Sequence, residues 1–536
     1  MNPNILDCTL RDGGYYTKWD FAPELVEDYL QAMAASRIDY VELGLRGSRV
    51  SGFAGAHAYT TDAYLRSLAL PAGLNIGVMV NAADLLARGP GGTAAVAQLF
   101  SPSEDSPVAL VRIACHAHEV ADVLPAASAL KTLGYMVGVN LMQIAGKSDD
   151  EISALAGLVD ADSVDVLYFA DSMGSLEPER VIDIVSNLRA GWNGAMGIHT
   201  HDNMGRALAN TVAAFEAGVA WLDCTVTGMG RGPGNAATEY VVLEFESQRA
   251  QAGNHLQLFE VIRKHFRALK IKHQWGINPY YYLAGKYGIH PTFVQEMLGD
   301  ARFQESEVLS VINHLKGSGA SKFTQEALRT GREYYSTPAD GGWQPSSKIA
   351  GREVLILGAG PSLRQHRKAV EAYIDQVQPV VMALNVEQVI DAARTDLRIA
   401  CHPLRLLADW ERYRTLNTPL VLPLSQQSSQ FRSELEATDC FDVGLQVKAG
   451  CFEFHDRMVV APSTLVAAYA LAVAASGKAS RITMAGFDGF HANDPRQLEM
   501  DEILTLFQSA APEISIRSIL PTRYELSIES VYGLVQ

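Results

Sequence analysis

Eight short runs of β-branched and aliphatic residues recur along the first 226 positions, at 5–10, 40–43, 75–80, 108–115, 136–141, 164–169, 196–199 and 221–226. Stretches with helical spacing separate them. In PELVEDYLQAMAAS, Leu25, Val26, Tyr29, Leu30 and Met33 share one face, and Pro23 suits a first helical turn. Eight strand–helix units in about 240 residues match the length of one (β/α)8 barrel, whose active site lies where strands run into the loops that follow them. The expected fold class is therefore α/β, with an N-terminal TIM barrel over residues 1–254.

Beyond the barrel the pattern becomes helical and aromatic, as in NPYYYLAGKYGIHPTFVQEML, and predicts a helical extension over 255–335. Residues 336–351, STPADGGWQPSSKIAG, gather Pro, Gly and Ser without periodicity and read as a linker. From 352 to 536 strands and helices alternate again: REVLILG, a GAGPSL turn, a helical stretch, VVMALN, and later TLVAAYALAVAASG before RITMAGFDG. This predicts a Rossmann-like α/β domain.

The chain carries 44 Lys and Arg against 60 Asp and Glu, a formal charge of −16, which opposes attraction to nucleic acid or to anionic lipid. Its six cysteines are scattered without a C-x-x-C pair, so neither a zinc knuckle nor a disulfide framework is indicated. No apolar run approaches about 18 residues, and no basic-then-apolar leader opens the sequence. The expectation is a cytoplasmic homo-oligomer without a membrane span.

Chemistry concentrates at three strand ends. In IHTHDNMG, His199 and His201 are two residues apart on a strand and face one side. Asp12, after the first strand, is the natural oxygen ligand to join them, and Asn235 completes or orients the shell. Such a mixed set suits a divalent metal with open positions, Mn²⁺ first, with Mg²⁺, Co²⁺, Fe²⁺ or Zn²⁺ as alternatives. Alone, an H-x-H is as readily a polar strand end; its place beside LRDGG and the glycine-rich TGMGRGPGNAATE favours the metal. Arg11 has two readings, an ion pair with Asp12 or a countercharge for a developing oxyanion.

The motifs DCTLRDGG, HTHDN and GMGRGPGNAATE, in this order, resemble the metallolyase superfamily (HMGL-like, DRE-TIM) that contains 4-hydroxy-2-oxovalerate aldolase, hydroxymethylglutaryl-CoA lyase and isopropylmalate synthase. The resemblance implies Asp12, His199 and His201 as metal ligands, Asn235 beside them, and Arg11 on an enolate. Two departures stand out. Tyr15 occupies the place where the pyruvate aldolases carry a histidine, leaving Tyr15, Tyr16, His57 or a bound water as candidate acid/base groups. The glycine-rich loop also lacks the cysteine of the lyase subgroup. Glu42, Asn140 and Arg231 are candidate substrate contacts, and Tyr280–Tyr282 and His290 are candidates to reach the mouth.

In the second domain, GAGPSL with ACHPLR and AGFDG is similar to domains of flagellin- and surface-glycan-modifying proteins, distantly related to CMP-sugar-using sialyltransferases. By that likeness Gly358, Gly360, Ser362, Asn385 and Asp488 lie near a nucleotide or nucleotide-sugar. The combined expectation is a metal-dependent aldolase acting on a 2-oxo acid and an aldehyde or sugar, in the making of a surface-polysaccharide sugar. The rivals are an acetyl-CoA-dependent Claisen-type synthase and a glycosyltransferase acting through the second domain.

Overall fold

The computed structural model describes residues 2–47, 52–299, 305–317, 335, 338–427, 432, 439–491 and 494–535. It divides into two compact units, Met1–Asp300 and Ala301–Gln536.

The first unit is a closed barrel of eight parallel strands: β1 Asn4–Asp7, β2 Tyr40–Leu45, β3 Asn75–Asn81, β4 Val108–Cys115, β5 Met136–Leu141, β6 Val166–Asp171, β7 Ala195–Thr200 and β8 Trp221–Cys224. It closes where Asn4–Asp7 pair in register with Trp221–Cys224. Strand residues alternate between two environments. Val78, Val80, Val111, Ile113, Val137 and Val139 face outward and form the main core with the surrounding helices. Leu6, Leu110, Val166, Tyr168 and Trp221 face inward and fill the lower barrel. Gly197 is required opposite Tyr168, because a Cβ there would meet the ring at 2.2 Å.

Two positions further along, the interior turns polar on four of the strands. Leu110 is followed inward by Arg112, Tyr40 by Glu42, Trp221 by Asp223, and Gly197 by His199. Glu42, Arg112 and Asp223 are wholly buried, so a charged layer lies above the apolar floor.

The first strand is shorter than its sequence suggests. It stops at Asp7, whose Oδ1 accepts the Thr9 amide (2.8 Å) and hydroxyl (2.6 Å), bending the chain into a helical turn, Thr9–Asp12. Arg11 and Asp12 are thus carried by a turn over the mouth.

Helices Pro279–Lys286 and Pro291–Gly299 belong to the first unit, and Glu305–Gly317 to the second, so the predicted extension is divided between them. Residues 318–334 lie outside the described residues. The segment read as a linker is packed into the second unit from 338 onward. Gly341 N donates to Arg457 O (3.0 Å), Trp343 N to Asp442 O (2.9 Å), and the Trp343 indole stacks on Phe441 at 4.5 Å.

The second unit has an eight-stranded parallel sheet of β9 Glu353–Leu357, β10 Val380–Leu384, β11 Leu397–Ile399, β12 Leu420–Leu422, β13 Cys440–Asp442, β17 Arg481–Ala485, β18 Ser515–Ser518 and β19 Ser527–Ile528. Their order is β13-β12-β11-β10-β9-β17-β18-β19. Strands β14 Gly444–Val447, β15 Glu453–Phe454 and β16 Met458–Ala461 form a separate small sheet. The apolar helix Val466–Ser476 is almost wholly buried, as its alanine-rich sequence permits. Among the described residues no helix is long and apolar enough to cross a membrane.

Candidate metal centre

At the top of the barrel Asp12 Oδ2 lies 3.7 Å from His199 Nε2, and the His199 and His201 rings are 5.1 Å apart. Asn235 Nδ2 donates to the same Asp12 oxygen, and Asn235 is paired with His201 through an isolated β-bridge. The structure therefore brings together the four residues predicted to hold a metal.

Burial would raise the Asp12 carboxyl, but Arg11, aided by His199 and His201, holds it well below the usual carboxylate range. Burial pushes His201 down to about 3, with His199 adding to the effect, so its imidazole is neutral and its lone pair available. His201 Nδ1 and Asn235 Oδ1 are buried and lack a hydrogen-bond partner. Unsatisfied nitrogen and oxygen acceptors beside an ionised carboxylate are a donor set that fits a divalent cation.

Cys8, His199 and Asp223 also place Sγ, Nδ1 and a carboxylate oxygen within 4.8 Å of one another. This trio is already engaged. Asp223 Oδ2 accepts from Arg112 Nη1 (2.6 Å) and His199 Nδ1 (2.9 Å), and burial raises the Cys8 thiol well above its ordinary value. The trio serves better as a brace: Asp223 keeps the proton on Nδ1 and frees Nε2 for the Asp12 side.

Beneath the ligands the charged layer is continuous. Arg11 Nε donates to Glu42 Oε1 (2.7 Å) and Nη1 to Asp12 Oδ1 (2.9 Å). Arg112 Nε and Nη2 donate to the two Glu42 oxygens at 2.7 and 2.9 Å. Glu42, expected to touch substrate, is instead the shared anchor of two arginines, both of its oxygens spent. Arg11 Nη2 and Asn140 Oδ1 remain buried without partners.

Two acid/base candidates are committed elsewhere. His57 sits in a short turn after β2, its Nδ1 2.6 Å from Leu43 O and its Nε2 2.9 Å from the Tyr64 hydroxyl. Burial pushes it down to about 4, and it braces that loop. The Tyr16 hydroxyl accepts from Gly232 N (2.9 Å), and burial pushes it up to about 12, so it fixes the glycine-rich loop. Tyr15 stays at the mouth, 42% exposed, edge-on to Trp19 at 4.9 Å, with the Arg231 guanidinium 4.9 Å above its ring.

The post-barrel helices reach the mouth. A Cβ on Gly232, which has φ +63°, would meet Tyr281 at 3.2 Å, and one on Gly285 would meet Asn203 at 2.9 Å. His290 is buried and pushed down to about 3 by that burial, with Arg231 and His116 acting in the same direction.

In the second unit Gly358, Gly360, Ser362 and Asp488 come together, with their donors turned inward. Gly358 N donates to Ala485 O (2.9 Å), Gly360 N to Gly486 O (2.8 Å) and Ser362 N to Asp488 Oδ2 (2.8 Å). The Ser362 hydroxyl also donates to Asp488. The Asp488 carboxylate thus takes the place at the start of helix Pro361–Gln365 where a phosphate was expected. Asn385, left-handed at φ +50°, ends β10 with a buried, unpartnered Oδ1.

Residues 2–265 match the family model described as HMGL-like. The chain is 30% identical over 296 residues to 4-hydroxy-2-oxovalerate aldolase 2 of Rhodococcus opacus, covering 54% of this chain and 81% of that protein. It is 31% identical over 255 residues to 4-hydroxy-2-oxovalerate aldolase of Pelotomaculum thermopropionicum, covering 46% and 71%. Against oxaloacetate decarboxylase of Mycobacterium tuberculosis it is 27% identical over 325 residues, covering 60% and 93%.

Proposed function

This chain belongs to the HMGL-like family, and from that premise we propose that it makes or cleaves a carbon–carbon bond through the enolate of a pyruvate-type 2-oxo acid. Family membership makes it a divalent-metal-dependent carbon–carbon lyase. The observation that carries the finer reading is the set at the barrel mouth: ionised Asp12, braced His199, and the unpartnered acceptors of His201 and Asn235.

Asp12, His199, His201 and Asn235 would hold a divalent ion, with Mn²⁺ as our first candidate, and the ion would supply Lewis acidity to the 2-oxo acid. The chain's own groups supply the rest. Arg11, fixed through Nε and Nη1, keeps Nη2 for the enolate oxygen. Asn140 offers a buried carbonyl oxygen. With Tyr16 and His57 committed, Tyr15 or a bound water is left of those candidates to pass the proton of the substrate's 4-hydroxyl. Tyr281, against the glycine-rich loop, helps exclude water.

We extend the proposal to the second unit as a nucleotide-sugar-binding partner in building a surface-polysaccharide sugar. A cleft of about 600 Å³ lined by Arg364, His366, Arg367, Lys368 and Tyr532 supports it. It offers cationic side chains in place of the spent loop amides, shortly after the strand end where the sheet order reverses.

The test is pyruvate release from a panel of 4-hydroxy-2-oxo acids with Mn²⁺, followed by a coupled dehydrogenase. Asp12→Asn is expected to lower turnover at least about 100-fold, as loss of a charged group at the reacting centre does. Silence across the panel, with thiol release from acetyl-CoA, would replace the aldolase by a Claisen-type synthase.

A further inference from the structure

Arg231 is, among the described residues, a cation without an anion. Among the described residues its guanidinium makes no ion pair or hydrogen bond, in a chain with 16 surplus negative charges. It lies over the ring of Tyr15, at 4.9 Å from the centroid, and Tyr15 comes three residues after Asp12. Its own position is rigidly set. On one side, a Cβ on Gly230 would stand 2.9 Å from Asp12 Oδ2. On the other, Gly232 donates to the Tyr16 hydroxyl (2.9 Å) and accepts from Gly276 N (3.2 Å).

The surroundings make this unpaired charge costly. Arg11 lies nearby, already paired, and Arg231 is a positive influence on both His201 and His290. Half-buried positive charge beside a metal centre is favourable when an anion arrives to meet it. That anion is not the metal-chelated end of the 2-oxo acid, which has the metal and Arg11 for countercharge. Because Arg231 stands one residue beyond Gly230, it is an arginine's reach outward from the ligands, where the far end of a substrate held at C1 and C2 would emerge.

Building on the aldolase reading, we propose that Arg231, stacked on Tyr15, is a specificity-determining residue that binds a second acidic group, carboxylate or phosphate, on the aldehyde-derived end of the substrate. The enzyme would then act on 4-hydroxy-2-oxo acids that are acidic at both ends. A guanidinium pre-stacked on a ring loses little freedom on pairing and presents its edge for a bidentate contact.

The experiment uses the full chain with Mn²⁺ and three analogues that lack the 4-hydroxyl and so are not cleaved: 2-oxohexanoate, 2-oxohexanedioate and 2-oxo-5-phosphonopentanoate. Calorimetric titration of the wild type is expected to favour an acidic-ended analogue over 2-oxohexanoate by about 30-fold, the worth of one charge-assisted pair. The two acidic analogues rank carboxylate against phosphate. Arg231→Ala is expected to bind all three within about 3-fold, and Arg231→Lys, which keeps charge but loses the planar edge, to fall between. Near-ultraviolet circular dichroism of each variant verifies folding.

Equal wild-type affinities, or a preference that survives Arg231→Ala, would overturn the proposal. The pyruvate-release panel separates the two readings. Cleavage without discrimination removes the acidic subsite and leaves the aldolase standing. Discrimination in binding without cleavage of any 4-hydroxy-2-oxo acid removes the aldolase and leaves the subsite.

Discussion

At the scale of single residues, the four residues that converge at the barrel mouth were legible and their supports were not. His199, His201 and Asp12 announce themselves because imidazole pairs and an LRDGG turn have few other uses at strand ends. Glu42 was visible but misassigned, since a carboxylate at a strand end looks the same whether it meets substrate or two arginines. Asp223 was missed altogether, although a lone acid inside the apolar strand WLDC demands a buried partner; Arg112, inside VALVRIAC, is that partner at 2.6 Å. The role of Asp223 is testable. Asp223→Asn leaves the shape but loses the acceptor charge that orients His199, so Mn²⁺ affinity should fall by about 10- to 100-fold, measured by titration calorimetry. Unchanged affinity would mean that His199 needs no brace.

At the scale of elements, eight strand–helix units were readable because a parallel strand covered on both faces is a nearly continuous apolar run. The ends were less readable. β1 was expected to run to Leu10, and its apolar pattern supports that, but the Asp7 carboxylate diverts the chain after four residues. Local side-chain capture of the backbone defeats periodicity in such places. Thr9 is the hinge pin of this turn: its hydroxyl donates to Asp7 and accepts from Val226 N at 2.7 Å, tying the first strand end to the loop after β8. Thr9→Val conserves shape and abandons both bonds inside the core. We expect a loss of about 2–3 kcal/mol in urea denaturation, the cost of buried groups left unsatisfied, with weaker Mn²⁺ binding because Asp12 and Asn235 sit on the two tied segments. A variant as stable as the wild type would show that the turn is held by its backbone alone.

At the scale of the whole molecule, every residue of the candidate metal centre comes from the first unit, while the second has its own core around β9–β13 and β17. The second unit was readable as an alternating α/β sheet, but GAGPSL alone left a phosphate loop and a tight structural turn equally open, because it does not disclose that Asp488, over a hundred residues away, fills the helix start. Metal should therefore act on one half. Saturating Mn²⁺ at about 100 times its dissociation constant adds roughly 2.7 kcal/mol to the barrel, a rise of roughly 5 °C in its calorimetric transition. The second transition should stay in place, and a shift of both by the same amount would contradict the division. The barrel interior carries a further consequence. Apolar floor, charged brace and His199 occupy successive inward positions of the barrel strands, whereas Arg231 stands on the loop after β8. A protein engineer can therefore vary position 231 without touching the strands, and a lineage can explore new diets by the same route, since what the barrel eats is written one side chain outward from how it digests.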